Sequence, residues 1–149
     1  MMKPIGNPLT IFQLEVRYNE TDLMGVVYHS NYFSWFHLAR EQLMKAAGAR
    51  VAETEHRGIH LPVIEACCHY RAAAKYGDRL EIRVFVHPKS LALRPHFNYE
   101  IQKEGIGRAI AYGQTKHVWS NHQGQLLTGL PEAYQSLGSC FDGRNSTCK

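Results

Sequence analysis

Between residues 11 and 18 apolar and polar positions partly alternate (Ile11, Phe12, Gln13, Leu14, Glu15, Val16, Arg17, Tyr18), the period of a half-buried strand. Asn19-Glu20-Thr21-Asp22 breaks that pattern, and Gly25 lies in the interruption. From about residue 31 to 47 the period changes. Tyr32, Phe36, Ala39, Leu43 and Ala46 follow helical spacing and define one apolar face. Ser30 or Asn31 is placed to cap the exposed N–H groups at the helix start, and Gly48 to stop it. No other stretch predicts a long helix.

Residues 49–60 are polar with scattered apolar positions, a loop with room for a short helical turn. Beyond them the chain reads as strands: 61–74, then 80–86 alternating cleanly before Pro88, then 91–102, then 108–120. Tyr76-Gly77-Asp78, residues 103–107 and residues 121–124 are the turns between and after them. Leu126-Leu127 predicts a short terminal strand, and Leu130-Pro131 opens a last helical turn. Residues 1–9, with Pro4, Gly6 and Pro8, predict no regular structure, and 138–149 read as a disordered tail. A single domain over residues 1–137 is expected. One sheet with one helix on its face is an α+β layer arrangement. Such a sheet keeps a second face and open edges that one helix cannot cover, so the pattern predicts a homo-oligomer.

Composition adds little beyond size. At 149 residues, 44% hydrophobic and 20% charged, the chain has an ordinary globular composition and is long enough for one real core. The net charge of +4 is spread along the chain, without the clustered stripe that nucleic acid requires. It suits small anionic ligands, or simply a solvated surface. The adjacent Cys67 and Cys68 would point to opposite faces of a strand, and Cys140 and Cys148 fall in the polar tail. No CxxC pair occurs, so neither a disulfide framework nor a zinc site is expected. No apolar run approaches the ~20 residues of a membrane span. A reducing cytoplasm is the expected compartment, where the sequon at Asn145 has no meaning.

Candidate chemistry centres on Asp22. A carboxylate can serve as a base toward water or attack an acyl carbon itself. Either role needs a stabiliser for the developing oxyanion, and a helix N-terminus provides one through free N–H groups and the positive dipole end. His29-Ser30-Asn31 is where those groups would lie, and Gly25 permits backbone to approach a substrate closely. The bland alternative is that Asp22 only forms a turn. His29 reads equally as a substrate contact or a surface group. Glu65, in the apolar run PVIEACCHY, faces either a cleft or an ion pair at a sheet edge or partner. His60 and His69 would lie ~30 Å apart in extended chain, so no shared metal is expected. Cys67 and Cys68 read as small core residues. Gly105-Ile106-Gly107 joins two strands and is a hairpin turn, not a phosphate loop.

The run Tyr18-Asn19-Glu20-Thr21-Asp22-Leu23-Met24-Gly25-Val26-Val27-Tyr28-His29-Ser30-Asn31-Tyr32, followed by Ala39-Arg40, resembles the 4-hydroxybenzoyl-CoA thioesterase family, and within it the YbgC-like acyl-CoA thioesterases. The likeness continues through Pro62-Val63-Ile64-Glu65, Tyr70-Arg71 and Tyr76-Gly77-Asp78, covering about residues 10–137. It implies a hotdog fold, an antiparallel sheet of five to six strands wrapped around one long helix, in dimers that commonly pair into tetramers. It implies hydrolysis of an acyl-CoA thioester at the dimer interface, without metal or organic cofactor. The motif assigns the catalytic carboxylate to Asp22 and the N–H that polarises the thioester carbonyl to His29. Gly25, Val27, Tyr28, Ser30 and Glu65 are the substrate-binding expectations. Two departures stand out: Glu20 where relatives often have Asp, and Ala72-Ala73-Ala74 where they often have a proline. Acyl carrier protein thioesters, a hotdog hydratase, and a non-catalytic acyl-CoA-binding module are the competing readings.

Overall fold

The computed structural model describes residues 7–139. Five strands form one antiparallel sheet: β1 (Thr10–Glu15), β2 (Val63–Tyr70), β3 (Arg79–Val86), β4 (His96–Lys103) and β5 (Ala109–His117). Their order across the sheet is β1-β3-β4-β5-β2. The long helix α1 (Asn31–Ala46) follows β1, the short α2 (Val51–His56) follows α1, and α3 (Gln135–Ser139) ends the described chain. This is the α+β hotdog arrangement, five strands around one long helix. None of the helices among the described residues is long and apolar enough to cross a membrane.

Register explains the alternation. Phe12 pairs Ile82, which pairs Ile101, which pairs Ala111, placing all four on the face toward α1. The opposite face carries Gln13, Glu81, Arg83 and Lys116, none of them buried. On α1 the buried set is Tyr32, Trp35, Phe36, Ala39, Arg40, Leu43 and Met44. That stripe is wider than the period alone predicts, while Ala46 is only half-buried. Its centre is Phe36, stacked on Tyr99 with ring centroids 4.4 Å apart and planes at 16°. Gly113 in β5 makes room for this stack, since a Cβ there would overlap the Phe36 ring.

Several boundaries differ from the sequence expectation. The first strand stops at Glu15, and Tyr18–Glu20 form a 3₁₀ turn. The strand expected from 91 starts at His96, because Pro88–Ser90 form a 3₁₀ turn and the next residues remain in turns. Leu126 makes only an isolated bridge to Ser120. Gly138 and Ser139, assigned to the tail, continue α3. The remaining tail residues, 140–149 with Cys140 and Cys148, and residues 1–6 lie outside the described residues.

Candidate active site

The chain between β1 and α1 is a loop pinned at its neck. Thr21 and Val27 form an isolated antiparallel bridge, Asp22 N–H donates to Val26 O at 2.9 Å, and Gly25 N–H donates to Asp22 O at 2.9 Å. Gly25 completes the turn at φ +73, a left-handed conformation natural to glycine. Asp22 itself helps form the turn, its Oδ1 accepting from Met24 N–H at 2.8 Å. Its Oδ2 has no hydrogen-bond partner among the described residues. One oxygen of Asp22 thus shapes the loop, and the other is open. Leu23 and Met24 at the tip are fully or largely exposed.

Glu20 holds the neck to the helix. Its carboxylate, nearly fully buried, accepts from Arg17 N–H (2.8 Å), the Arg17 guanidinium (3.0 Å) and Trp35 Nε1–H (3.0 Å). Its carbonyl accepts from Tyr28 N–H (2.9 Å) and Asn31 Nδ2–H (2.8 Å). Burial on its own would raise the pKa of Glu20, but these hydrogen bonds and the Arg17 charge outweigh it and leave the carboxyl below its ordinary range. Sequence reading treated Glu20 only as a departure from family pattern. Its spacing from Trp35 gives no periodic signal, so the bond became visible only in three dimensions.

The cap differs from expectation. Ser30 occupies the N-cap position without a side-chain bond to the helix, and Asn31 reaches back to Glu20 instead. Among the described residues nothing accepts from the backbone N–H of His29. The His29 ring is exposed and lies against Tyr28, centroids 4.3 Å apart. His29 O accepts from Tyr70 Oη–H at 3.0 Å.

A cleft of about 330 Å³ opens here, walled by Val26, Val27, His29, Tyr32, Tyr70, Arg71, Ala72 and Ala73. Of the expected residues, Val27 and His29 line it. Asp22, Gly25, Tyr28 and Ser30 stand in the same loop but outside its wall. Val27 is buried, and its N–H donates to Ala74 O at 2.8 Å, tying the loop to the alanine run. Glu65 is not brought here in the single chain. In β2 it lies on the face opposite to Tyr70, where its carboxylate accepts from Lys116 Nζ (2.9 Å) and Gln114 Nε2 (3.1 Å). Those bonds hold its carboxyl below the ordinary pKa, Lys116 first.

Other candidates resolve simply. Cys68, on the cleft-side face of β2, has its thiol pushed up to about 11 by burial, the wrong direction for a nucleophile. Cys67 has a base at hand that spacing did not reveal, His69 Nε2 at 3.4 Å. His60 meets His122 rather than His69, at 3.2 Å. No group of three or more metal-ligating side chains occurs among the described residues. A separate hollow of about 740 Å³ runs along β1, β3, β4 and the 103–107 hairpin and shares no residue with this loop or helix start.

Comparison with known proteins places this geometry. Residues 16–137 match the model of the thioesterase-like superfamily. The 1,4-dihydroxy-2-naphthoyl-CoA hydrolase of Synechococcus elongatus is 30% identical over 127 residues, 83% of this chain and 90% of that protein. The crystal structure of a DHNA-CoA thioesterase from Staphylococcus aureus superposes with a TM-score of 0.78 at 29% identity, covering 93% of this chain and 96% of the other. A 1,4-dihydroxy-2-naphthoyl-CoA thioesterase from Synechocystis superposes with a TM-score of 0.80 at 25% identity, covering 89% and 96%. The match spans the β1–α1 loop, the helix and strands β2 to β5, and the chain belongs to the thioesterase-like superfamily as a thioester hydrolase of hotdog fold.

Proposed function

We propose that this protein hydrolyses acyl-CoA thioesters with Asp22 as general base or nucleophile and the backbone N–H of His29 as oxyanion donor. In the overall step water adds across the acyl–sulfur bond, giving a carboxylic acid and the CoA thiol. As general base, Asp22 takes the proton of the attacking water and returns it to the CoA thiolate as the C–S bond breaks. As nucleophile, it forms an acyl anhydride as the C–S bond breaks and CoA thiolate leaves; water then opens the anhydride, restoring the carboxylate and supplying the thiol proton. In both, negative charge grows on the acyl oxygen, where an unpaired N–H at a helix start is most useful. The observation that carries the reading is this pairing within one loop of an open carboxylate oxygen with a free helix-start N–H.

CoA is favoured over a protein carrier by the relatives, whose names specify CoA esters. Arg71, exposed in the cleft wall with no carboxylate partner among the described residues, suits a CoA phosphate. The rings of His29, Tyr32 and Tyr70 in that wall suit a planar, aromatic acyl group. β2 is an edge strand with Val63 and Ile64 about half exposed, and a second copy pairing along it would complete the site. The outer sheet face, where Gln13, Glu81, Arg83 and Lys116 are at least partly exposed, is where two dimers would pair into a tetramer. The free thiols Cys67 and Cys68 suit a reducing cytoplasm.

The test is thiol release from short, long and aromatic acyl-CoAs, with Asp22→Asn beside the wild type. The variant is expected to lose ~100-fold or more in kcat. Unchanged turnover by a folded variant overturns the assignment, and binding of CoA esters without thiol release across the panel points to the non-catalytic module.

A further inference from the structure

We infer that Tyr70 is a positioning residue for the oxyanion donor. The inference rests on the thioesterase reading above and goes beyond it. The N–H of His29 belongs to the peptide joining Tyr28 to His29. That peptide is anchored on its N-terminal side, where Tyr28 N–H donates to Glu20 O at 2.9 Å. On its C-terminal side, the next carbonyl, His29 O, receives the Tyr70 hydroxyl at 3.0 Å. With both flanking groups held, the His29 N–H has little freedom to rotate away from one direction. Without the hydroxyl, the His29–Ser30 peptide has no hydrogen bond among the described residues, while the turn bonds from Asn31 N–H to Tyr28 O and from Phe33 N–H to Ser30 O hold the peptides on either side of it.

Tyr70 is itself well placed. It ends β2, with register partner Ala111 on the inner face of the sheet. Its ring stands edge-on against Tyr32 of α1, centroids 4.9 Å apart and planes at 86°. Desolvation first, and then the neighbouring Cys68 thiol, push its ionisation upward, so the hydroxyl remains a donor. Donation into His29 O also polarises the rest of that peptide, and so sharpens the Ser30 N–H at the helix start. The ring supplies packing and the hydroxyl supplies direction. One substitution separates them.

Tyr70→Phe keeps the ring and removes the hydroxyl. Steady-state thiol release is measured for wild type, Tyr70→Phe and Asp22→Asn, with thermal midpoints for all three. For Tyr70→Phe, kcat is expected to fall ~10-fold, the scale of one hydrogen bond, with KM within about twofold. Uniform weakening of binding would raise KM at constant kcat, and that result overturns the inference. So does a kcat within about twofold of wild type at an unchanged midpoint. If the midpoint drops, kcat is compared well below it, where the protein is folded, and the same limits apply. An active wild type with an inactive Asp22→Asn and a normal Tyr70→Phe leaves the thioesterase reading standing and sinks only this inference. A wild type that releases no thiol sinks both.

Discussion

The indole N–H of Trp35 donates to the carboxylate of Glu20 across 3.0 Å, fastening the second turn of α1 to the residue two places before Asp22. The loop that carries the open carboxylate is thereby tied to the hydrophobic core as well as closed by its own short turn.

Glu20→Ala should therefore cost both stability and activity. It strands the Trp35 N–H in the core, worth about 2 kcal/mol, and frees the neck of the loop. Because the folded-state carboxyl of Glu20 lies below its ordinary 4.5, its contribution is complete above that pH and is lost as pH falls through the lower folded value. Glu20→Gln is expected to unfold with a flatter pH dependence below about 4.5 than wild type. Parallel acid titrations of both proteins by circular dichroism would expose a wrong assignment.

His117 gives the opposite case of a base kept neutral. Fully buried, it shares hydrogen bonds with Thr115 Oγ1 (2.8 Å) and Leu61 O (3.2 Å). Burial first, and then the Arg40 charge, push its pKa down to about 4 from 6.5. The unfolded chain then binds a proton that the folded chain refuses, so stability falls as pH drops from 6.5 toward 4. The full loss is on the order of 3 kcal/mol for that shift. Urea midpoints at pH 7 and pH 5 should converge in His117→Gln relative to wild type. Equal pH dependence in the two proteins contradicts this.

Gly113→Ala should destabilise by ~1–3 kcal/mol, since the added methyl enters the space of the Phe36 ring on Tyr99. In a Phe36→Leu background the same change should cost less, because the facing ring is gone. Equal costs in a double-mutant cycle would show that the stack does not set the fit.

Much of this was legible in the chain itself. The helix from residue 31 was given by the spacing of Tyr32, Phe36, Ala39 and Leu43, and the strands by their alternation. Asp22 and His29 were nominated by chemistry and sharpened by resemblance. What stayed hidden were contacts between residues far apart in sequence and of unremarkable type. Glu20 looks like one more loop acid until Trp35 is folded over it. Tyr70 looks like a strand aromatic until its hydroxyl meets the His29 carbonyl, 41 residues away. Ser30 was misread in the other direction: residue type predicts a capping side chain, but tertiary bonds from Asn31 and Tyr28 to Glu20 anchor this helix start instead.

The exposed tip formed by Leu23 and Met24 has its own meaning once the neck is seen to be fixed. Side chains there touch little in their own chain, and the turn beneath them is set by Gly25 and backbone bonds. Exchange of these two side chains leaves the backbone N–H of residue 24 on Asp22 Oδ1 in place. The architecture leaves two adjacent sites free to drift, or to be tuned to a new acyl group or a different neighbour, while the Asp22 carboxylate keeps its place in the loop.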